Sequence, residues 1–402
     1  MLIFELVEHP FRLFGQLLTV IVPLLMQGVI MAQPAHISGN TEALQRQLNA
    51  DEVLLEYIVT DTSVLINAIG RDSVCSSTQS LNQLFWFSLR SFRKKLKSAE
   101  PLNFLVPGEI LYMVLIKPLQ QFISGRRRLI IIPGDVLSGL PFEAFIRSDS
   151  LSLFKDLCTQ HYLIQDHEVI YHHSKNFRNE RNRERGVEDN VPADEFKISF
   201  MGFSPVYKRS KTCPALPSTR NEIFEIGTLF RQKGKSSWLV YDELSGKEHF
   251  KNLVCRGQII HLATHYIQDM NGPGSGGFLF SSGNFSKGRK GPQQDCLLTC
   301  DEIACLQLSA DLIVLNSCSF FNTVNVGNSP AQLFYQAGAR NILSTLWNVT
   351  DVLAGQFMID FYRTWLSGKS YSQALREVKL QWISCTATTM PSIWAPYVLM
   401  GE

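Results

Sequence analysis

Gln258-Ile259-Ile260-His261-Leu262-Ala263-Thr264-His265 and Asp311-Leu312-Ile313-Val314-Leu315-Asn316-Ser317-Cys318 are the two stretches on which the reading of this chain turns. In each, a short, mainly apolar run (258–262, 311–316) lies between polar residues, the pattern of a strand buried on both faces of a parallel sheet. Each run then delivers a reactive side chain, His265 or Cys318, just past its carboxyl end. In open parallel sheets, that rim is where reactive residues collect. If the two strands are neighbours, an imidazole and a thiol emerge side by side.

Working outward, the pattern remains α/β. Residues 53–59 and 64–68 read as a hairpin with Asp61 to Ser63 in its turn. A helix is expected over 108–123, a buried strand over 128–132 and another over 168–171. After a polar stretch, 196–203 reads as a strand. Thr219 and Glu222 then have capping-box spacing, with Ile223, Ile226, Leu229 and Phe230 following at helical intervals up to Gly234. A strand over 341–346 and helices over 330–337, 352–366 and 371–384 complete the alternation. The expected architecture is a mostly parallel sheet flanked by helices, with a smaller α/β lobe ahead of it. The segments are an apolar N-terminus at 1–45, a first lobe at 50–175, a polar loop at 176–195 and a second lobe at 196–402.

Bulk properties narrow the function. The 402 residues are 45% apolar and 18% charged, with a formal net charge of only +2. Such a balance gives no broad attraction to nucleic acid. Nine cysteines, an odd number in a chain too large to need staples, argue against a disulfide framework and for a reducing, cytoplasmic setting. Cys296, Cys300 and Cys305 do not match zinc spacing and read as buried thiols on a short helix. No metal ligand set is expected: His172-His173 has no partner at ligand spacing. The uncharged stretch 13–35 is long enough to cross a bilayer, and equally reads as a signal segment or a docking helix. The run 272–277, Gly-Pro-Gly-Ser-Gly-Gly, lacks the Lys-Ser/Thr pair of a phosphate loop and reads as a loop or lid.

His265 and Cys318 lie 53 residues apart. Thiol proteolysis needs such a pair: a thiolate attacks and an imidazole moves the proton. Taken singly, a strand-end cysteine is usually a packed thiol and a lone histidine a satisfied polar residue. The surrounding motifs change that balance. Ile259 to His265 and Ala310 to Cys318 resemble the histidine and cysteine motifs of the CHAT domain family, relatives of caspases and separases. Also similar are Leu54-Leu55-Glu56-Tyr57, Pro141-Phe142-Glu143-Ala144, Gln336 to Arg340, Ser344 to Asp351, Phe361-Tyr362, Ala374-Leu375-Arg376 and Trp394 to Gly401.

The resemblance implies a caspase-like fold and a cysteine endopeptidase that cleaves protein substrates without a cofactor. It implies His265 and Cys318 as the catalytic dyad, with the backbone N–H groups of Tyr266 and Cys318 receiving the oxyanion. It also implies a regulatory protein partner, one with tetratricopeptide repeats among the candidates. Two departures stand out. Tyr266 replaces the family's usual glycine, which a positive φ would make costly, and Ser319-Phe320-Phe321 replaces a polar-Thr-Gly sequence. The alternative is therefore an inactive scaffold that binds partners through the same groove. Asp351 resembles the acidic pocket residue with which separases receive basic side chains. The competing reading has Thr350 or Asp351 capping a helix that starts at Val352. Likewise Thr299 and Glu302 form a capping-box pair.

Overall fold

The structure is a computed structural model that describes residues 30–32, 41–98, 103–147, 157–172, 197–206, 215–268, 276–281, 296–316 and 329–402. The chain divides into two compact units. The first is drawn from Met1–Val136, Phe142–His167 and His173–Arg178, the second from Leu137–Pro141, Glu168–His172 and Asn179–Glu402. The second unit thus claims two short segments that precede the polar stretch 176–195, which lies outside the described residues.

In the first unit, β2 (Glu52–Val59) and β3 (Ser63–Gly70) form the expected hairpin, with Val59 opposite Val64. Thr60 closes its turn by donating its N–H to Ser63 O at 2.8 Å. β4 (Val74–Ser80) extends the sheet antiparallel to β3. The sequence reading missed this strand, whose Ser, Thr and Gln content gives no apolar run. β5 (Arg128–Ile132), buried throughout, pairs parallel with β2. Their first residues, Arg128 and Glu52, make a buried ion pair of 3.0 Å.

β1 (Ile30–Ala32) adds antiparallel to β4. Three residues of the apolar stretch 13–35 are therefore sheet, and its residues 13–29 and 33–35 lie outside the described residues. Among the described residues no helix is long and apolar enough to cross a membrane. α1 (Thr41–Gln45) is short, and α2 (Gln83–Lys95) is capped by Asn82, whose side chain accepts from Phe85 N–H at 3.0 Å. The helix expected over 108–123 is α3 (Leu105–Leu115), followed by separate turns at Lys117–Leu119 and Gln120–Ile123. Pro118, lacking an N–H, cannot continue the α-helical ladder.

The second unit is built on a sheet ordered β6-β15-β14-β13-β9-β7-β8. These strands are β6 (Glu168–Tyr171), β7 (Ile198–Pro205), β8 (Ser237–Asp242), β9 (Gly257–Leu262), β13 (Leu312–Leu315), β14 (Asn341–Thr345) and β15 (Tyr397–Met400). Its pairings are parallel except that between β14 and β15.

One face sends Ile260, Leu262, Ile313 and Leu315 into a core with Phe278, Phe280, Leu298 and Phe334. Phe278 and Leu298 come from a small antiparallel sheet, β10 (Tyr266–Gln268), β11 (Gly276–Leu279) and β12 (Leu297–Thr299). On the other face Phe200 stacks on Phe230 of α4 (Pro217–Gln232) and meets Tyr362 of α8 (Asp351–Trp365) edge-on, at 4.8 and 5.5 Å. Each such fully buried aromatic stabilises the fold by about 1.5–3 kcal/mol. α4 can seat on β7 because Gly202 is bare: a Cβ there would lie 2.9 Å from Ile223 Cβ. Further helices are α5 (Lys247–Leu253), α6 (Cys300–Ala304), α7 (Pro330–Gln336) and α9 (Tyr371–Ser384), with a single turn at Pro391–Trp394.

Candidate active site

β9 and β13 are direct neighbours, parallel, with Leu262 opposite Leu315. The Asn316 N–H donates to Leu262 O at 3.0 Å and extends the ladder one step beyond the strands. Leu262 precedes His265 by three residues, and Leu315 precedes Cys318 by three. Cys318 itself, with Ser319-Phe320-Phe321, lies outside the described residues.

Beyond β9, two bonds steer the chain. Ala263 N–H donates to Phe203 O at 3.0 Å, and the buried Thr264 hydroxyl donates to Leu279 O. Leu279 N–H donates back to His265 O at 2.8 Å. The half-buried His265 therefore stands at the junction of the large sheet and the small one.

That bond from Leu279 N–H to His265 O flanks the next register position, so Tyr266 and Phe278 face each other as a non-bonded antiparallel pair. The Tyr266 N–H consequently points away from β11. Its φ carries no penalty: among described non-glycine residues only Asp242 and Glu402 have positive φ. The expected cost of replacing glycine here does not arise, because β10 is extended. The Tyr266 ring lies edge-on to Phe278 at 5.3 Å, and its hydroxyl sits 3.8 Å from Cys300 Sγ. Burial pushes both the phenol and the Cys300 thiol above their ordinary ranges. Gly276 makes room, since a Cβ there would strike the Tyr266 hydroxyl. Gly276 and Gly277 are thus strand residues rather than part of a loop; 272–275 lie outside the described residues.

A cavity of about 50 Å³ opens at the carboxyl ends of β9, β13 and β14. Its walls include Thr264, Asn316, Thr345, Asn348 and Asp351. Asp351 is therefore brought to the neighbours of the two expected catalytic positions. The capping expectation at this point is corrected. Thr350 occupies the N-cap of α8 but makes no side-chain cap, and Asp351 Oδ2 accepts from the Ser218 N–H of α4 at 2.7 Å.

A second correction concerns Thr219 and Glu222. α4 begins at Pro217, ahead of Thr219, so no capping box forms there. Thr219 Oγ1 donates to Leu216 O at 2.8 Å, and the Glu222 side chain turns inward, 1% exposed. Glu222 was missed as a site residue although a signal existed. It falls on the buried stripe 219-222-223-226-230 of its helix, where a carboxylate is out of place. The fully buried His261 bonds to that carboxylate, away from the rim.

Elsewhere, Thr299 and Glu302 do form the capping box, with Glu302 Oε2 accepting from Thr299 N–H at 3.0 Å. Cys296 and Cys300 are buried, whereas Cys305 is exposed because α6 ends before it. His172 is buried against Gly401 O at 3.1 Å, and His173 lies outside the described residues.

A mostly parallel sheet flanked by helices, with the carboxyl ends of β9 and β13 side by side on one rim, defines a caspase-like fold class. The chain belongs to the CHAT domain family, which it matches over residues 105–402. It is 34% identical over 114 residues to human tetratricopeptide repeat protein 28, and 33% identical over 114 residues to the mouse protein of that name. Those matches cover 28% of this chain and only 5% of the length of each relative. In fold, it is similar to a chain of the Saccharomyces cerevisiae separase–securin complex, with a TM-score of 0.54 at 10% identity. That likeness spans 90% of this chain and 30% of the other.

Proposed function

We propose that this protein is a cysteine endopeptidase that cleaves protein substrates through His265 and Cys318. The observation that carries the reading is the register of β9 and β13, in which Leu262 faces Leu315 three residues ahead of each reactive side chain. Parallel strands about 5 Å apart suit an imidazole and a thiol acting on one carbonyl.

In this mechanism His265 accepts the Cys318 proton and the thiolate attacks the scissile carbonyl carbon. The N–H groups of Tyr266 and Cys318 receive the oxyanion. Collapse expels the amine, which takes the proton from His265, and leaves a thioester that water hydrolyses. Asp351, with Oδ2 held by Ser218, offers Oδ1 to a basic substrate side chain next to the cleaved bond. A protein partner governs the activity, as the relatedness to a tetratricopeptide repeat protein suggests. The proposed setting is the cytoplasm, where a thiol nucleophile stays reduced.

The test is labelling of Cys318 by an electrophile in the full chain, read at the peptide that carries it because Cys255, Cys305 and Cys385 are exposed thiols too, alongside cleavage of a peptide library. Cys318→Ala abolishes both, and His265→Ala slows both by at least about 10²-fold, the usual worth of a general base. Labelling indifferent to His265 would favour the inactive scaffold.

A further inference from the structure

Helix α4 drives a carboxylate into the middle of the second unit. Glu222 Oε1 accepts two hydrogen bonds at once, from His261 Nε2 at 2.8 Å and from Asn316 Nδ2 at 2.7 Å. His261 Nδ1 lies 3.3 Å from the Tyr362 hydroxyl. Burial, and then the Glu222 charge, raise the Tyr362 and Tyr397 phenols well above their ordinary range, so both stay protonated. Among the described residues Glu222 Oε2 has no hydrogen-bond partner. Burying a carboxylate with one oxygen unsatisfied is unfavourable, and an apolar residue of similar size is often the more stable choice.

A leucine could fill the space but could not join two strand ends. His261 is on β9, four residues before His265, and Asn316 follows β13, two residues before Cys318. One carboxylate oxygen therefore ties together the two places from which the expected catalytic residues depart. The network also reaches the cavity, whose wall Asn316 shares with Thr264 and Asp351. A polar network of this kind imposes one geometry where apolar packing tolerates several.

We propose that Glu222 is a positioning residue for the nucleophile: by gripping the Asn316 side chain it sets the path of the chain from β13 to Cys318. The inference rests on the endopeptidase reading above. Without the grip the thiol loses its alignment with His265, and its reactivity near neutral pH falls although the fold persists.

The experiment follows alkylation of Cys318 by iodoacetamide in the full chain, read by peptide mass spectrometry from pH 5 to 10. Wild type, His265→Ala, Asn316→Ala and Glu222→Gln are compared, with circular dichroism to show that each is folded. Asn316→Ala changes no charge and leaves the Glu222–His261 bond in place, so it decides the matter even where Glu222→Gln fails to fold. Alkylation at pH 7 is expected to slow roughly tenfold in Asn316→Ala, with its pH midpoint moved up toward the ~8.5 of a free thiol. Glu222→Gln should slow it less, since the amide oxygen still accepts. If His265→Ala slows alkylation while Asn316→Ala reacts at the wild-type rate and midpoint, the positioning role is overturned. If His265→Ala is also without effect, the dyad itself fails, and the inference with it.

Discussion

Asp351, the first residue of α8, accepts a 2.7 Å hydrogen bond from the backbone N–H of Ser218 in the first turn of α4. A carboxylate there satisfies a donor that α4 cannot pair internally, and it sits at the positive end of two helix dipoles. The same side chain lines the cavity at the strand ends, so the packing of two helices and the proposed substrate contact depend on one carboxylate.

Asp351→Asn keeps an acceptor and should leave stability nearly unchanged, while Asp351→Ala should lose about 1 kcal/mol, the usual worth of a cap. Both should lower the preference for a basic residue before the cleaved bond about tenfold, as loss of a charge-assisted pair implies. Urea denaturation and a position-scanned peptide library measure the two effects separately. An unchanged preference in Asp351→Asn would remove Asp351 from the substrate pocket.

The two histidines of the β9 motif should behave oppositely. His261 is fully buried against Glu222, and His261→Ala opens a cavity and strips a partner from a buried carboxylate, costing about 2–5 kcal/mol. His265→Ala, at a half-buried position, should change stability by less than about 1 kcal/mol yet remove nearly all cleavage. Thermal melts beside a cleavage assay reveal whether the roles are divided this way.

The small sheet depends on a bare backbone at Gly277, where a Cβ would strike Leu298 O, a backbone atom. Gly277→Ala should destabilise by about 1–3 kcal/mol, as overpacking does. Gly246→Ala, whose Cβ would lie an ordinary 3.7 Å from Ser281 O, serves as the tolerated control. Equal melting temperatures for the two variants would contradict the tight contact between β11 and β12.

Glu302 supplies a pH dependence. Burial alone would raise its carboxyl, but Thr299 N–H, Lys247 and Lys251 prevail and hold it below its ordinary value of 4.5. Its stabilisation is therefore present above pH 4.5 and is lost as pH falls through the lower folded value. Glu302→Gln should be less stable than wild type by only about 0.5 kcal/mol at pH 7, because water screens the lysines. The two denaturation curves should converge as pH falls through that lower folded value; a gap that persists once the curves are flat in acid would assign the effect to packing.

Much of the second unit was legible in advance. The runs 258–262 and 311–316 match β9 and β13 to within one residue at each end. The helix expected over 371–384 is α9, Tyr371–Ser384. These elements carry their own punctuation: mainly apolar runs for strands buried on both faces, helical spacing and a local cap for the helix. The Thr299–Glu302 box was readable for the same reason, both partners lying within one turn. β4 was not, because Val74–Ser80 becomes a strand through pairing with β3 and not through its own apolar pattern. Tyr266 was misjudged, since its φ is set by β11, which the sequence placed in a loop.

The residue order alone determined where β6, β7, β9, β13 and β14 lie and which reactive side chains follow β9 and β13, because hydrophobic period and turn residues act over a few neighbouring positions. Only the tertiary structure decided that Glu222 leaves the surface for His261 and Asn316, and that Asp351 serves α4 instead of its own helix. Glu222 and Asn316 are 94 residues apart, and Asp351 and Ser218 are 133 apart. A buried polar atom bonds to whatever donor the packed chain brings within about 3 Å, and no local pattern encodes which distant segment that will be.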